Sequence, residues 1–174
     1  MDFTKLKDYI DNLDKNLIPS SRIIVKKGNE TLFQHFSARE DIFDSEKDKE
    51  LYYLFSLSKV ITCTGAMMLV EKGLMNLDDP VYKYLPEFKD LYVGGDWGIC
   101  HNPIDKNTMP KAKNTMLIRH LFIMGAGYGY DLGHPELLKV KEATNNQATT
   151  REIANAISKM PLLMEPGSSF RYEI

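Results

Sequence analysis

Apolar positions along the chain change period several times, and each change marks an element. Phe3, Leu6, Ile10, Leu13 and Leu17 recur at helical spacing with lysines and aspartates between them. That predicts an amphipathic first helix, stopped by Pro19 and packed on a sheet. The sheet signal follows at once: the β-rich runs RIIVKK and TLFQHF flank Gly28-Asn29-Glu30, which predicts a hairpin. His35 lies in the second run and reads as structural, since the sequence shows no partner for it. Residues 37–50 are polar and acidic, a solvated loop leading to the apolar run at 52–55.

Over residues 56–72 the pattern is helical, but Val60, Ile61, Thr64, Met67, Met68 and Val70 spread too widely for one stripe. The expectation is a helix buried on most sides, with Met67 and Met68 as core filler and Gly73 ending it. Leu77-Asp78-Asp79-Pro80 caps a short helix running to Pro86. Residues 89–114 then carry almost no periodic signal and hold Gly94, Gly95, Gly98, two prolines and the single tryptophan, Trp97. A loop this long inside a compact domain reads as an active-site flap, with Trp97 lining a cleft or anchoring the loop. Thr115 caps a helix over 116–124, and Gly125, Gly127 and Gly129 close it with a flexible turn. Spaced glycines after a helix are the wrong context for a strand-to-helix phosphate loop. Two further helices are expected at 134–141 and 150–159, the second capped by Thr149 or Thr150 and stopped before Pro161.

Composition narrows the class. With 174 residues, 43% hydrophobic and 26% charged, the chain has an ordinary globular balance, long enough for one domain with a sizeable core. A net charge of −2 with Lys and Glu interspersed gives no electrostatic reason to expect nucleic acid. No apolar run approaches the roughly 18 residues of a membrane span. The N-terminus MDFTKLKDYIDNLDKN is charged and amphipathic where a secretory signal is continuously apolar, so the chain as given reads cytoplasmic, or extracytoplasmic if a leader has been removed. Two cysteines, Cys63 in the main helix and Cys100 in the long loop, make neither a disulfide framework nor a metal constellation. Cys63 reads as a small core residue.

The candidate chemistry stands at the mouth of the main helix. Ser56 and Lys59 are three residues apart, so on a helix the hydroxyl and the ammonium project from one face of the first turn. A serine hydroxyl is a poor nucleophile until a neighbouring base takes its proton, and lysine serves once its pKa falls. Desolvation against Phe55, Val60 and Ile61, together with the positive end of the helix dipole, would lower it. The Ser56 N–H is placed to donate to an oxyanion on an attacked carbonyl. Ser-x-x-Lys by itself is weak, because a chain of this size holds on the order of one copy by chance. On the tetrapeptide alone, an N-cap serine followed by a surface lysine is the better explanation.

Context decides between the two. The run FSLSKVITCTGAMMLVEKGLMNLDDPVYKYLPEF resembles the nucleophile helix and following turn of the serine beta-lactamase and penicillin-binding-protein superfamily, nearest to class C beta-lactamases, D-alanyl-D-alanine carboxypeptidases and related esterases. TMLIRHLFIMGAGYGYDL resembles that family's helix and glycine turn, although Ile123-Met124-Gly125-Ala126-Gly127 stands where the family usually carries Thr-His-Thr-Ser-Gly. PLLMEPGSSFRY resembles its approach to a catalytic tyrosine, which puts Tyr172 in that role; the plainer reading is an aromatic that anchors a loop end. Two residues on, Ile174 replaces an asparagine common in the lactamases and peptidases, a departure that leans toward the esterase-like branches.

The resemblance implies an α+β fold, beta-lactamase/transpeptidase-like: a mainly helical region plus an N-terminal helix and hairpin from a central antiparallel sheet. It also implies a single incomplete domain over 1–174, since the family's later strands, including one bearing a Lys-Thr-Gly type motif and the second oxyanion donor, are not in this sequence. The implied function is acyl transfer through an acyl-serine on a β-lactam, D-alanyl peptide or carboxylic ester, with no cofactor and no metal, and impaired by the missing part. Ser56 would be the nucleophile, Lys59 its activator and Tyr172 the general base, its phenol lowered by the Lys59 ammonium. The alternative is a non-catalytic domain that keeps the fold as a binding module. A small-molecule acyl substrate is the expected partner, along with a second copy of the chain, recruited through the open edge of the hairpin at 22–36.

Overall fold

The computed structural model describes residues 1–39, 51–94 and 103–172, and it divides into two compact units, Met1–Phe55 and Ser56–Ile174. The acidic stretch at 40–50, the middle of the long loop with Trp97 and Cys100, and Ile174 lie outside the described residues.

In the first unit, helix α1 (Thr4–Asp11) precedes the antiparallel hairpin of β1 (Ser20–Lys27) and β2 (Glu30–Ala38). The turn is Gly28-Asn29, with Gly28 at φ 57°, a left-handed backbone that glycine adopts at least cost. Ser20 pairs with Ala38 and Val25 with Phe33, and a bulge between Val25 and Lys26 shifts the register toward the turn. The expected packing of helix on sheet is present: the Phe3 and Phe33 rings stack 5.0 Å apart, and the Asp11 carboxylate meets His35 Nε2 at 2.7 Å. His35 thus has its partner on α1, beyond the reach of local sequence patterns. The helix is shorter than its apolar spacing predicts, because side-chain and turn bonds compete with it. Asn12 Nδ2 donates to the Asp8 carbonyl, and Leu17 and Ile18 donate their N–H groups to the Asp14 carbonyl, leaving Leu17 exposed.

The second unit carries the core. A 3-10 turn, Phe55–Leu57, leads into α2 (Ser58–Glu71); two 3-10 turns, Val81–Lys83 and Pro86–Phe88, stand where one short helix was expected. Then come α3 (Ile118–Phe122), α4 (Pro135–Ala143) and α5 (Thr150–Ile157). The cap of α5 is Thr149: its hydroxyl accepts the Glu152 N–H and Glu152 accepts the Thr149 N–H at 2.8 Å, a reciprocal capping box. Buried His134 caps α4 through Nδ1, which accepts the Glu136 N–H. At α3 the cap is Leu117, and not Thr115 as the sequence suggested.

Val81, Phe88, Leu91, Met116, Ile118, Tyr128, Leu137, Met160 and Leu162 form the core, with Phe88 edge-on to Tyr128. The ends of the long loop join it: Tyr92 bridges to Lys111 and Val93 to Leu162, so the described parts of 89–114 are pinned at both sides. One expectation is overturned. No residue of α2 is buried, and Val60, Ile61, Met67 and Met68 are all exposed. An all-round apolar helix needs neighbours on every side to bury it; among the described residues of the second unit, Met75, Ile118, Leu121, Phe122 and Met124 line a groove along one side of α2, where Cys63 is half-buried. The core therefore sits over residues 81–164. The architecture is α+β, five helices and a two-stranded antiparallel sheet among the described residues.

Candidate active site

Ser56 lies in the 3-10 turn and not in the first turn of α2, but the two run on continuously, and the three-residue spacing still places Lys59 over it. Lys59 Nζ donates to Ser56 Oγ at 3.4 Å. Immediately before, Phe55 holds φ at 45°, a left-handed conformation that is costly for an aromatic residue, so the backbone turns sharply into the serine. Val60 and Ile61, the apolar residues that follow Lys59, are exposed.

Tyr172 arrives from the other end of the unit. Its path is set by a double-sided lacing of residues 162–171 to the turn after α3. Leu163 donates to the Gly127 carbonyl at 2.7 Å, Gly167 to Gly125 at 2.8 Å and Arg171 to Met124 at 2.9 Å. Gly127 is required there: at φ 104° a Cβ would stand 2.5 Å from the Met164 carbonyl oxygen. On the opposite side Glu165 accepts the N–H groups of Lys113 and Asn114 at 2.9 and 3.0 Å, and Asn114 Nδ2 donates to the Pro166 carbonyl. Backbone shape is thus what the Ile123-to-Gly127 segment contributes.

So delivered, the Tyr172 hydroxyl forms a short hydrogen bond with Ser56 Oγ. Lys59 Nζ stands 5.1 Å from the centre of the Tyr172 ring. The bond to Ser56 and then the neighbouring Lys59 hold the Tyr172 phenol below its ordinary value of 10.0. The structure thus brings Ser56, Lys59 and Tyr172 together within hydrogen-bonding reach of one oxygen. It adds a residue not singled out from the sequence: the Tyr130 ring packs on Tyr172 at 5.9 Å. Its only sequence signal is its place just after the glycine turn. Among the described residues no three His, Cys, Asp or Glu side chains gather as metal ligands, and no helix is long and apolar enough to cross a membrane.

Comparison with known proteins gives the family. An acyltransferase, calJ of Penicillium decumbens, is 30% identical over 67% of this chain and 27% of its own length. The lovastatin esterase of Penicillium rubens is 26% identical over 71% of this chain and 30% of its own. The chain spans about three-tenths of these relatives' length. Among solved structures, EstCE1, a hydrolase with promiscuous acyltransferase activity, superposes with a TM-score of 0.63 at 22% identity, over 98% of this chain and 43% of that one. The family model described as Beta-lactamase matches residues 6–173, nearly the whole sequence, and the chain belongs to that family, with its beta-lactamase-like α+β fold.

Proposed function

We propose that this chain is the nucleophile-bearing part of a serine acyl hydrolase or acyltransferase, acting through an acyl-serine at Ser56. The observation that carries the reading is the convergence of Lys59 Nζ and the Tyr172 hydroxyl on Ser56 Oγ. In this reading Tyr172, as phenolate, takes the Ser56 proton while the oxygen attacks the acyl carbon. Lys59 favours the phenolate and keeps the hydroxyl oriented. The Ser56 N–H donates to the oxygen that gains charge, and Tyr172 returns the proton to the leaving group. The esterase and acyltransferase names of the relatives, with Ile174 in place of an amide, favour carboxylic esters over β-lactams as the acyl donor.

A fluorophosphonate reagent read by mass spectrometry tests this. Ser56 is expected to gain the adduct and Ser56→Ala to remain unlabelled; an unlabelled Ser56 in the folded chain would leave the fold as a binding module. Where turnover is measurable, kcat/KM for a short p-nitrophenyl ester is expected to exceed that for a chromogenic cephalosporin. An equal or reversed ratio would refute the ester preference.

A further inference from the structure

At the middle one of the three backbone ties that join the Tyr172 loop to the turn after α3, a side chain meets a bare backbone. The imidazole of His120 lies against Gly167, so close that a Cβ built there would stand 2.6 Å from Nε2 and 2.9 Å from Cε1. Gly167 is at φ 77°, a conformation that L side chains rarely adopt. The ring is not free to swing aside. Its Nδ1 accepts the Leu117 N–H at 3.2 Å, and the His120 backbone is bonded on both sides, N–H to the Leu117 carbonyl and carbonyl to the Gly125 N–H. An imidazole anchored at one edge and pressed on a glycine at the other is a rigid stop. The segment resting on it holds Gly167 to Gly125 and Arg171 to Met124, and ends at Tyr172.

We propose that His120 and Gly167 form a seat that sets the approach of Tyr172 to Ser56, making both positioning residues for proton transfer; this rests on the acyl-serine reading above. Any side chain at 167 must lift the loop to reach ordinary contact with the ring. The lift carries Tyr172 away from a hydroxyl it now hydrogen-bonds. A misplacement of about 1 Å in a reacting group can cost about a hundredfold in rate.

Two readouts on the 174-residue chain test the seat: the pH dependence of Ser56 labelling by an ethyl fluorophosphonate, and the Tyr172 phenol titration followed by NMR of 13Cζ-tyrosine. Gly167→Ala is expected to slow labelling by about tenfold or more and to move the Tyr172 midpoint up toward that of a free tyrosine. In the double variant His120→Ala/Gly167→Ala the methyl has room, so rate and midpoint return part of the way. Recovery stays incomplete because φ remains left-handed for alanine. Labelling of Gly167→Ala within about twofold of the unchanged chain, with the same midpoint, overturns the seat, as does a double variant no better than the single one. Should Gly167→Ala fail to fold, His120→Ala carries the test: its Tyr172 midpoint rises if the imidazole is the stop, and an unmoved midpoint overturns the proposal. A chain that takes no label in any form refutes the acyl-serine reading, and the Tyr172 titration then decides the seat alone.

Discussion

At Ser56 one oxygen is shared between a lysine three residues away and a tyrosine 116 residues away, and the two distances explain what was legible. The facing of serine and lysine follows from their three-residue spacing, while their reading as a catalytic pair came from the resemblance of the surrounding run. Tyr172 was found only by resemblance, because its approach depends on a loop whose shape is fixed by bonds to residues around 113 and 125. Tyr130 was missed, since nothing about a lone aromatic after a glycine turn says which ring it will meet. Replacing Tyr172 by phenylalanine is expected to slow Ser56 labelling by about a hundredfold or more, the usual worth of a positioned general base. The pH dependence has a definite sign. The base acts deprotonated, and Tyr172 is held below 10.0, so labelling should rise with pH and level off at a midpoint under 10.0. A stopped-flow profile that is flat, or that falls with rising pH, would contradict it.

Individual elements were read with mixed success for identifiable reasons. The α5 cap was legible because the Thr149–Glu152 box is a local bond pattern. The end of α1 was not, because Asn12 and Asp14 divert the backbone before the apolar spacing runs out. After α2, Asp79 gathers Lys83 Nζ at 2.8 Å, the Tyr84 hydroxyl and the Asn76 N–H, tying the first 3-10 turn together. The Lys83 and then the Tyr84 hydrogen bonds hold its carboxyl down to about 2, from an ordinary 3.8. A lowered carboxyl stabilises the fold fully above about 3.8, and that contribution disappears as pH falls toward 2. Asp79→Asn should therefore lower Tm at pH 6 and make little difference near pH 2, measured by circular dichroism melts at both. Gly127→Ala should destabilise the second unit by about 2 kcal/mol or more, since it combines an unfavourable φ with a clash on backbone. A urea midpoint unchanged by that substitution would show that the lacing is soft.

Across the whole molecule, the hairpin presents two strands whose pairing among the described residues is only with each other, and a sheet of two is marginal alone. Copies are proposed to associate through its edges; light scattering should give a mass above that of one chain at micromolar concentration, reduced when Ile24→Lys places a charge on this exposed strand position. A monomer at every concentration would refute it. The sequence by itself determined the presence, though not every bound or cap, of the five helices among the described residues, the hairpin and the facing of Ser56 and Lys59, because each depends on local periods of two or 3.6 residues and on local turns; the helix expected before Pro86 is instead two 3-10 turns. Tertiary structure decided which faces are covered. Helix α2, apolar on all sides, reads as core yet is exposed, since burial depends on what stands beside a helix. It also decided that Tyr172 reaches Ser56, which local pattern cannot encode because the contact is made by a loop seated on Gly125, Met124 and Glu165.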